Sequence, residues 1–338
     1  MSRLKDIAKI AGVNVSTVSR ALNNRKGINE NTKNEICKIA HDVDYVPDQT
    51  ARALVGKGTK TIGVILQEIS SDYYTMLLGY IEEELRKSGY SIIMGFTNHD
   101  FNVETQYLKI FNKKRVDGII LVGYMFEELE DFLDSMRKIK ETPMVLLQTH
   151  IKYPKYDHIM VDEEYGFDLA VKFLKKLGHE RFGVVADEVS YQIRSDILKN
   201  VILANNLKYE QKFIKVGKER FELGGYLRMK ELLKQKEVPT AIIATYDHVA
   251  IGALKAIYEA GLKVPEDISI VSYDNIRESE YLINPLSTIS PPIEAMTELG
   301  VKLLLEKIES DAKPVIQHIS LKPELIARDT TGKVKKVL

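Results

Sequence analysis

Residues 12–23, GVNVSTVSRALN, place Asn14, Ser16, Thr17, Ser19 and Arg20 on one short helix. A core helix would not carry so many short polar side chains, and an ordinary solvated helix would favour Glu and Lys. Upstream, Leu4, Ile7, Ala8 and Ala11 recur at helical spacing, Gly12 supplies a turn, and Asn14 is placed to cap the next helix. That second helix turns Val18 and Leu22 inward and leaves Val15, Ser16, Ser19 and Arg20 outward. Asn29, with Thr32 three residues on, opens a third helix carrying Ile36, Ile39 and Val43. Three short helices, the first two joined by a tight glycine turn, match a helix-turn-helix unit. Short donors and acceptors at the start of its second helix suit a reader of base edges in the major groove. The plainer alternative is a polar surface helix in a small helical domain.

Charge favours the first reading. The 338 residues balance 48 Lys and Arg against 48 Asp and Glu, yet residues 1–60 hold eleven basic against six acidic side chains. A basic head on a mildly acidic body points to a polyanionic partner for the head. The single Cys37 excludes an internal disulfide and sits in a helical pattern with Ile36 and Ile39. The start, MSRLKDIAKIAG, has charges at every turn and no apolar signal-peptide core. No uncharged run approaches the ~20 residues that span a bilayer. A cytoplasmic protein is expected.

Pro47 ends the head after Tyr45-Val46, and DQTARALVGKGT comes next. Thr50 to Val55 allow one or two helical turns, too short to hold alone, and Gly56 and Gly58 loosen the joint. This segment reads as a hinge that folds on binding. From Lys60 the rhythm changes to short apolar runs alternating with amphipathic helices. TIGVIL, SIIMGF, GIILVG and MVLLQ are strand-like, with helical spacing around 73–88, 102–114 and 128–138. After Gly178-His179 a second series begins: FGVVAD, KFIKVG, TAIIAT and DISIVSYD. The α/β pattern predicts two doubly wound parallel subdomains. A final helix over roughly 293–308 and the strand-like HISLKPELIA complete the chain.

Ligands of doubly wound sheets sit beyond the carboxyl ends of the strands. Gln67, Gln148, Asp187, Tyr246-Asp247 and Tyr273-Asp274 all fall there. Carboxylates, guanidinium and aromatic faces are the chemistry a polyol needs. Asp247 could equally cap the helix HVAIGALKAI, and each tyrosine could simply pack at a cleft rim.

KDIAKIAGVNVSTVSRALN, YVPDQTARAL, IGVIL, LKKLGHERFGVV, PTAIIATYDHVAIGALKAI, GLKVPEDISIVSYDN and PLSTI together resemble the lactose-repressor type of bacterial transcription regulator, from residue 3 to about 329. The resemblance implies a three-helix DNA-binding head (1–46), a hinge helix and linker (47–59), and a type I periplasmic-binding-protein-like body. It places one lobe at 60–160 with 292–320, the other at 161–291 with 321–330, and a short basic tail at 331–338. Strand crossovers are expected near 158–161 and 287–291. Val15 and Ser16 match the pair that sets operator preference, with Thr17 beside them, and Arg20 a further groove contact. Ser19, Asn23 and Tyr45 match phosphate contacts, which orient the protein without reading sequence. Leu54 matches a leucine wedged into the minor groove, a kink whose cost of a few kcal/mol the added contacts return. Its alternative is a small apolar staple in the linker. Asp48 stands where the family often has Asn, near phosphates.

In the body, Asp274 matches a ligand-binding aspartate and Arg194 a ligand-binding arginine, although Ile197-Leu198 replace the family's Gly-aromatic pair. Tyr73 and Tyr74 match an aromatic pair, with Asp72 where a proline is usual. Gln148 replaces a common aspartate and Tyr246 a common asparagine or threonine, which points away from the best-known ligand.

Enzymatic readings find little support. No Gly-rich dinucleotide fingerprint follows TIGVIL, GKGTK is no phosphate loop, the seven histidines are scattered, and GxSxG is absent. No cofactor or metal is expected. The expectation is a ligand-responsive repressor of carbohydrate-utilisation genes that binds a palindromic operator as a homodimer, with a sugar-like effector between the lobes. The helix around 73–88 and the segment near 275–283 are candidate dimer surfaces. TTGKVKKVL is short and basic, unlike the heptad helix of the family's tetramers. A phosphorylated carrier protein as a further partner, and activation in place of repression, stay open. A pure transport sugar-binding module would lack the basic helical head.

Overall fold

The computed structural model describes residues 4–22, 27–43, 45, 58–123, 129–137, 142–148, 155–310 and 315–334. The chain divides into two compact units, Met1–Thr59 and Lys60–Leu338.

The first unit holds α1 (Leu4–Ile10), α2 (Val15–Leu22) and α3 (Glu30–Asp42). The carbonyl of Asn14 accepts from the Thr17 amide at 2.9 Å, which starts α2, and the Asn29 side chain accepts from the Asn31 amide at 2.9 Å, which caps α3. Ile7, Val18, Ala21, Ile36 and Ala40 form a small core. Leu22, expected fully inward, packs half-buried beside it, and the smaller Ala21 takes the inner place.

The second unit alternates strand and helix. The order is β1 (Thr61–Leu66), α4 (Asp72–Lys87), β2 (Ser91–Phe96), α5 (Phe101–Lys114), β3 (Gly118–Val122), α6 (Leu129–Arg137), β4 (Met144–Leu147) and β5 (Asp157–Val161). Then come α7 (Glu163–Lys176), β6 (Phe182–Asp187), α8 (Glu188–Ala204), β7 (Ile214–Gly217), α9 (Phe221–Leu233), β8 (Ala241–Ala244), α10 (Asp247–Glu259) and β9 (Ser269–Tyr273). Last are β10 (Ser287–Ser290), α11 (Ile293–Glu309), β11 (His318–Leu321) and β12 (Glu324–Ile326).

Two six-stranded sheets result, in the orders β11-β5-β4-β3-β1-β2 and β12-β10-β9-β8-β6-β7. Pairing is parallel throughout except at β12, which runs antiparallel to β10. The central strands β1, β3, β4, β6, β8 and β9 are buried along their whole length. This is why they read as continuous apolar runs and not as alternating ones. Each sheet carries an apolar cluster on both faces. In the first lobe α4 and α11 cover one face and α5 and α6 the other. In the second, α7 and α8 lie opposite α9 and α10.

The chain changes lobe just beyond β5 and β10, close to the crossovers expected near 158–161 and 287–291, and one reading of the sequence needs adjusting. HISLKPELIA is not one strand: Lys322-Pro323 break it, so β11 joins the first sheet and β12 the second. Proline cannot donate to a ladder, which makes it a natural point of exchange.

Candidate functional site

In the first unit, Val15, Ser16 and Arg20 are exposed on the outer face of α2, and Thr17 and Ser19 are half-buried at its edges. An exposed valine at the first helical position serves no core, and fits a face meant to meet another surface. Tyr45 packs half-buried against the head core. Asn23 and Leu54 lie outside the described residues.

In the second unit the carboxyl ends of the strands converge on a cleft between the lobes. It encloses about 630 Å³ of open space, solvent at its mouth included, and its walls include Tyr73, Tyr74, Gln148, Arg194, Tyr246 and Asp274. These six expected residues are therefore brought together.

Asp274 follows β9 in left-handed backbone, φ 112°, a conformation an L residue adopts at a cost. It is buried at the cleft wall, and no hydrogen bond from the protein offsets that burial. Burial pushes that carboxyl well above the ordinary carboxylate range. The Arg194 guanidinium opposes the rise, and the Asp247 and Glu163 charges add to it. Arg194, on α8, donates to Glu163 from Nη2 at 2.7 Å and from Nε at 3.2 Å, and from Nη1 to the Thr245 carbonyl. Its guanidinium lies 4.5 Å over the Tyr273 ring. Burial works against this charge, but Glu163 and Asp274 outweigh it and hold the guanidinium above its usual value. Gln148, at φ 54°, donates to Glu163 at 3.2 Å and leaves its buried Oε1 without a hydrogen bond. Tyr73 and Tyr74 meet edge to face at 5.6 Å, and the Tyr73 hydroxyl is buried and unpartnered. Burial raises both phenols, which stay neutral. Tyr246 donates to Asp187 and accepts from the Phe221 amide at 2.9 Å.

Four expected residues are not on its walls: Asp187 is fully buried and caps α8 through the Ser190 amide, Tyr273 is fully buried under Arg194, and Gln67 and Asp247 belong elsewhere. Gln67 is fully buried inside its own lobe, where its Oε1 accepts from Thr97 Oγ1 at 2.8 Å. Asp247 is neither a ligand group nor the cap of α10, whose cap position is Tyr246. Its carboxylate is saturated. It accepts from Ser272, from Thr288 Oγ1 at 2.6 Å, from Ser279 Oγ at 2.6 Å and from the Ile276 amide at 2.9 Å, and so pins the segment after β9.

The sequence reading missed Glu68, His99, Glu163, Arg220 and Phe221. Arg220 donates to Glu68 at 2.6 Å and lies 3.6 Å from Asp187. Phe221, at φ 56°, presents an aromatic wall packed edge to face on Tyr246 at 6.0 Å. The signal was available, since Glu68 and Arg220-Phe221 also come after strands, β1 and β7. Rigidity behind this wall comes from α9 and α10. A Cβ at Gly225 would stand 1.9 Å from the Val249 carbonyl oxygen, and one at Gly252 1.8 Å from that of Glu222. Only glycine allows the two backbones so close.

A helix-turn-helix head joined to two doubly wound lobes around a polar cleft defines a ligand-sensing DNA-binding regulator. Comparison with known proteins agrees. Residues 3–48 match the model for bacterial regulatory proteins of the lacI family, and residues 171–331 the periplasmic binding protein-like domain. The HTH-type transcriptional repressor PurR of Pasteurella multocida is 32% identical over 97% of this chain and 98% of its own. The HTH-type transcriptional regulator MalR of Clostridium butyricum is 33% identical over 97% and 98%. The crystal structure of the Lac repressor dimer bound to operator and the anti-inducer ONPF superposes with a TM-score of 0.88 at 25% identity, covering 98% of this chain and 99% of that one. The chain belongs to the lacI family of bacterial regulatory proteins. It is a transcription regulator and not an enzyme. No helix among the described residues is long and apolar enough to cross a membrane.

Proposed function

We propose that this regulator is a cytoplasmic repressor of carbohydrate-utilisation genes, bound to a palindromic operator as a homodimer and released by a neutral, hydroxyl-rich effector in the cleft. The Asp274 carboxylate carries the reading: it lines the cleft, is held in strained backbone and has only the field of Arg194 to favour its charge. A buried polar group without a partner costs about 1–3 kcal/mol, so such a group is tolerated where a ligand supplies the missing bond. In this cleft that cost falls on Gln148 Oε1 and the Tyr73 hydroxyl, both buried and unpartnered. These groups are mostly acceptors and so favour a ligand rich in O–H donors. Phosphate is disfavoured, because both guanidiniums of the cleft already face carboxylates. Arg194, Tyr74 and Tyr246 would orient such a ligand.

Coupling to DNA works by population shift: the effector binds one lobe arrangement better, and the operator favours the other. An apolar surface on the second lobe, built from Ile251, Leu254, Tyr258, Leu282 and Ile283, supports a dimer, with Ile283 99% and the neighbouring Tyr281 73% exposed. Val15, Ser16, Thr17 and Arg20 would read bases, with Ser19, Asn23 and Tyr45 on phosphates and Leu54 in the minor groove. A thermal-shift panel of neutral and phosphorylated sugars against the intact chain tests the effector class, since binding raises stability by mass action. Stabilisation by phosphorylated sugars alone would contradict it. Substituting Val15 and Ser16 should change which operator is chosen, whereas a uniform affinity loss would move them to phosphates.

A further inference from the structure

One carboxylate behind the cleft wall touches both lobes. Glu163 is the first residue of α7, where the second lobe begins after β5, and the amide end of that helix favours its negative charge. It is buried, and its oxygens accept from Arg194 of the second lobe, Nη2 at 2.7 Å and Nε at 3.2 Å, and from Gln148 Nε2 of the first at 3.2 Å. Arg194 and Gln148 line the cleft, and Glu163 stands behind them.

A guanidinium carries five N–H donors in a fixed plane. Glu163 takes one edge of Arg194, Nε and Nη2, and the Thr245 carbonyl takes a donor of Nη1. The Tyr273 ring covers one face at 4.5 Å. Five donors less three leave two N–H groups for the cleft, on a charge that is already answered. Burial opposes that charge, and Glu163 does more than Asp274 to sustain it. A carboxylate only accepts, so Glu163 also decides which way round the Gln148 amide lies. Nε2 turns to Glu163, and Oε1 is left as an unmet acceptor.

We propose that Glu163 sets the charge specificity of the cleft: by answering Arg194 and fixing Gln148 as an acceptor, it bars anionic effectors and selects neutral donors of O–H groups. The assignment rests on the neutral-effector reading proposed above and names the residue that enforces it. Glu163 is a positioning residue, since it acts on the effector only through Arg194 and Gln148. A guanidinium without a carboxylate binds phosphate through two parallel bonds, and most strongly where water is scarce. Loss of the Glu163 charge should therefore turn a cleft that refuses anions into one that holds them. Arg220, the other guanidinium on the wall, keeps Glu68 at 2.6 Å and is not altered by this change.

The test uses the intact chain and inorganic phosphate as the probe, titrated against chloride at equal ionic strength with the melting temperature as readout. Phosphate strengthens burial in every variant and the basic head is common to all, so only a saturable difference between variants counts. The wild type should show no saturable rise. Glu163→Gln should gain one, roughly 3 °C or more at tenfold excess over the dissociation constant, and the double variant Glu163→Gln, Arg194→Gln should lose it again. Asp274→Asn leaves Glu163 on Arg194 and should stay as indifferent to phosphate as the wild type; it keeps the proposal refutable whatever the stability of Glu163→Gln. A saturable rise in Asp274→Asn would give the exclusion to Asp274, and none in Glu163→Gln would reduce Glu163 to a structural counter-ion. Either result would overturn the proposal. A rise in the wild type that Arg194→Gln abolishes would overturn the neutral-effector reading as well, which separates the two failures.

Discussion

Asp247 and Asp274 come just after neighbouring strands of one sheet, β8 and β9, and both are buried, yet their surroundings are opposite. Burial raises the carboxyl of Asp247, but hydrogen bonds from Ser272, Ser279, Thr288 and the Ile276 amide pull it back. Asp274 has only the field of Arg194 against burial and the charges of Asp247 and Glu163. One aspartate builds the wall, and the other is left for something from outside. Position after a strand tells where a side chain will be. Its donors tell what it is for.

The contrast between the two aspartates makes graded predictions. Asp274→Ala should cut effector affinity at least about a hundredfold, the loss of a pair of buried hydrogen bonds, while operator binding without effector stays intact. Calorimetry with a sugar identified on the wild type checks this, and unchanged affinity would break the contrast. Asp247→Ala should instead destabilise the body by roughly 3–5 kcal/mol in urea unfolding, because four buried donors lose their acceptor. Asp274→Asn should raise the melting temperature by a few degrees at neutral pH, with the gain vanishing in acid, because a raised carboxyl stabilises the fold at low pH and loses that contribution as pH rises.

Glu104 on α5 sharpens the contrast. It is fully buried, both its carboxyl oxygens lack hydrogen bonds, and burial pushes it up to about 8, yet it does not line the cleft. Glu104→Gln should stabilise the protein increasingly as pH rises from about 5 to 8 and leave effector affinity untouched. An altered affinity would mean that an orphan carboxyl away from the cleft also serves the ligand.

Much of this was readable from the chain. The strands of both lobes stood out because parallel strands buried on both faces are unbroken apolar runs, and α2 stood out because its polar residues suit no core. The last lobe exchange came from the family resemblance, which divides the lobes at 320 and 321, and not from the pattern of HISLKPELIA, which looks like one strand. At the cleft, the rule that ligands sit past strand ends found Tyr246 and Asp274. It could not separate Gln67 from Glu68, where a single step along the backbone turns the side chain from the lobe interior to the cleft. Nor could it show that Asp247 would find its partners on β9, β10 and the turn between them, 25 to 41 residues away in sequence.

The most direct measurement is operator binding by the purified protein, titrated with the sugar that stabilises it most, for the wild type and Asp274→Ala side by side. A cationic reading head governed by metabolite capture in the cleft predicts wild-type release at least tenfold more sensitive to that sugar, with equal grip in its absence. Equal release by both proteins, or release by neither while the sugar still binds, would contradict it.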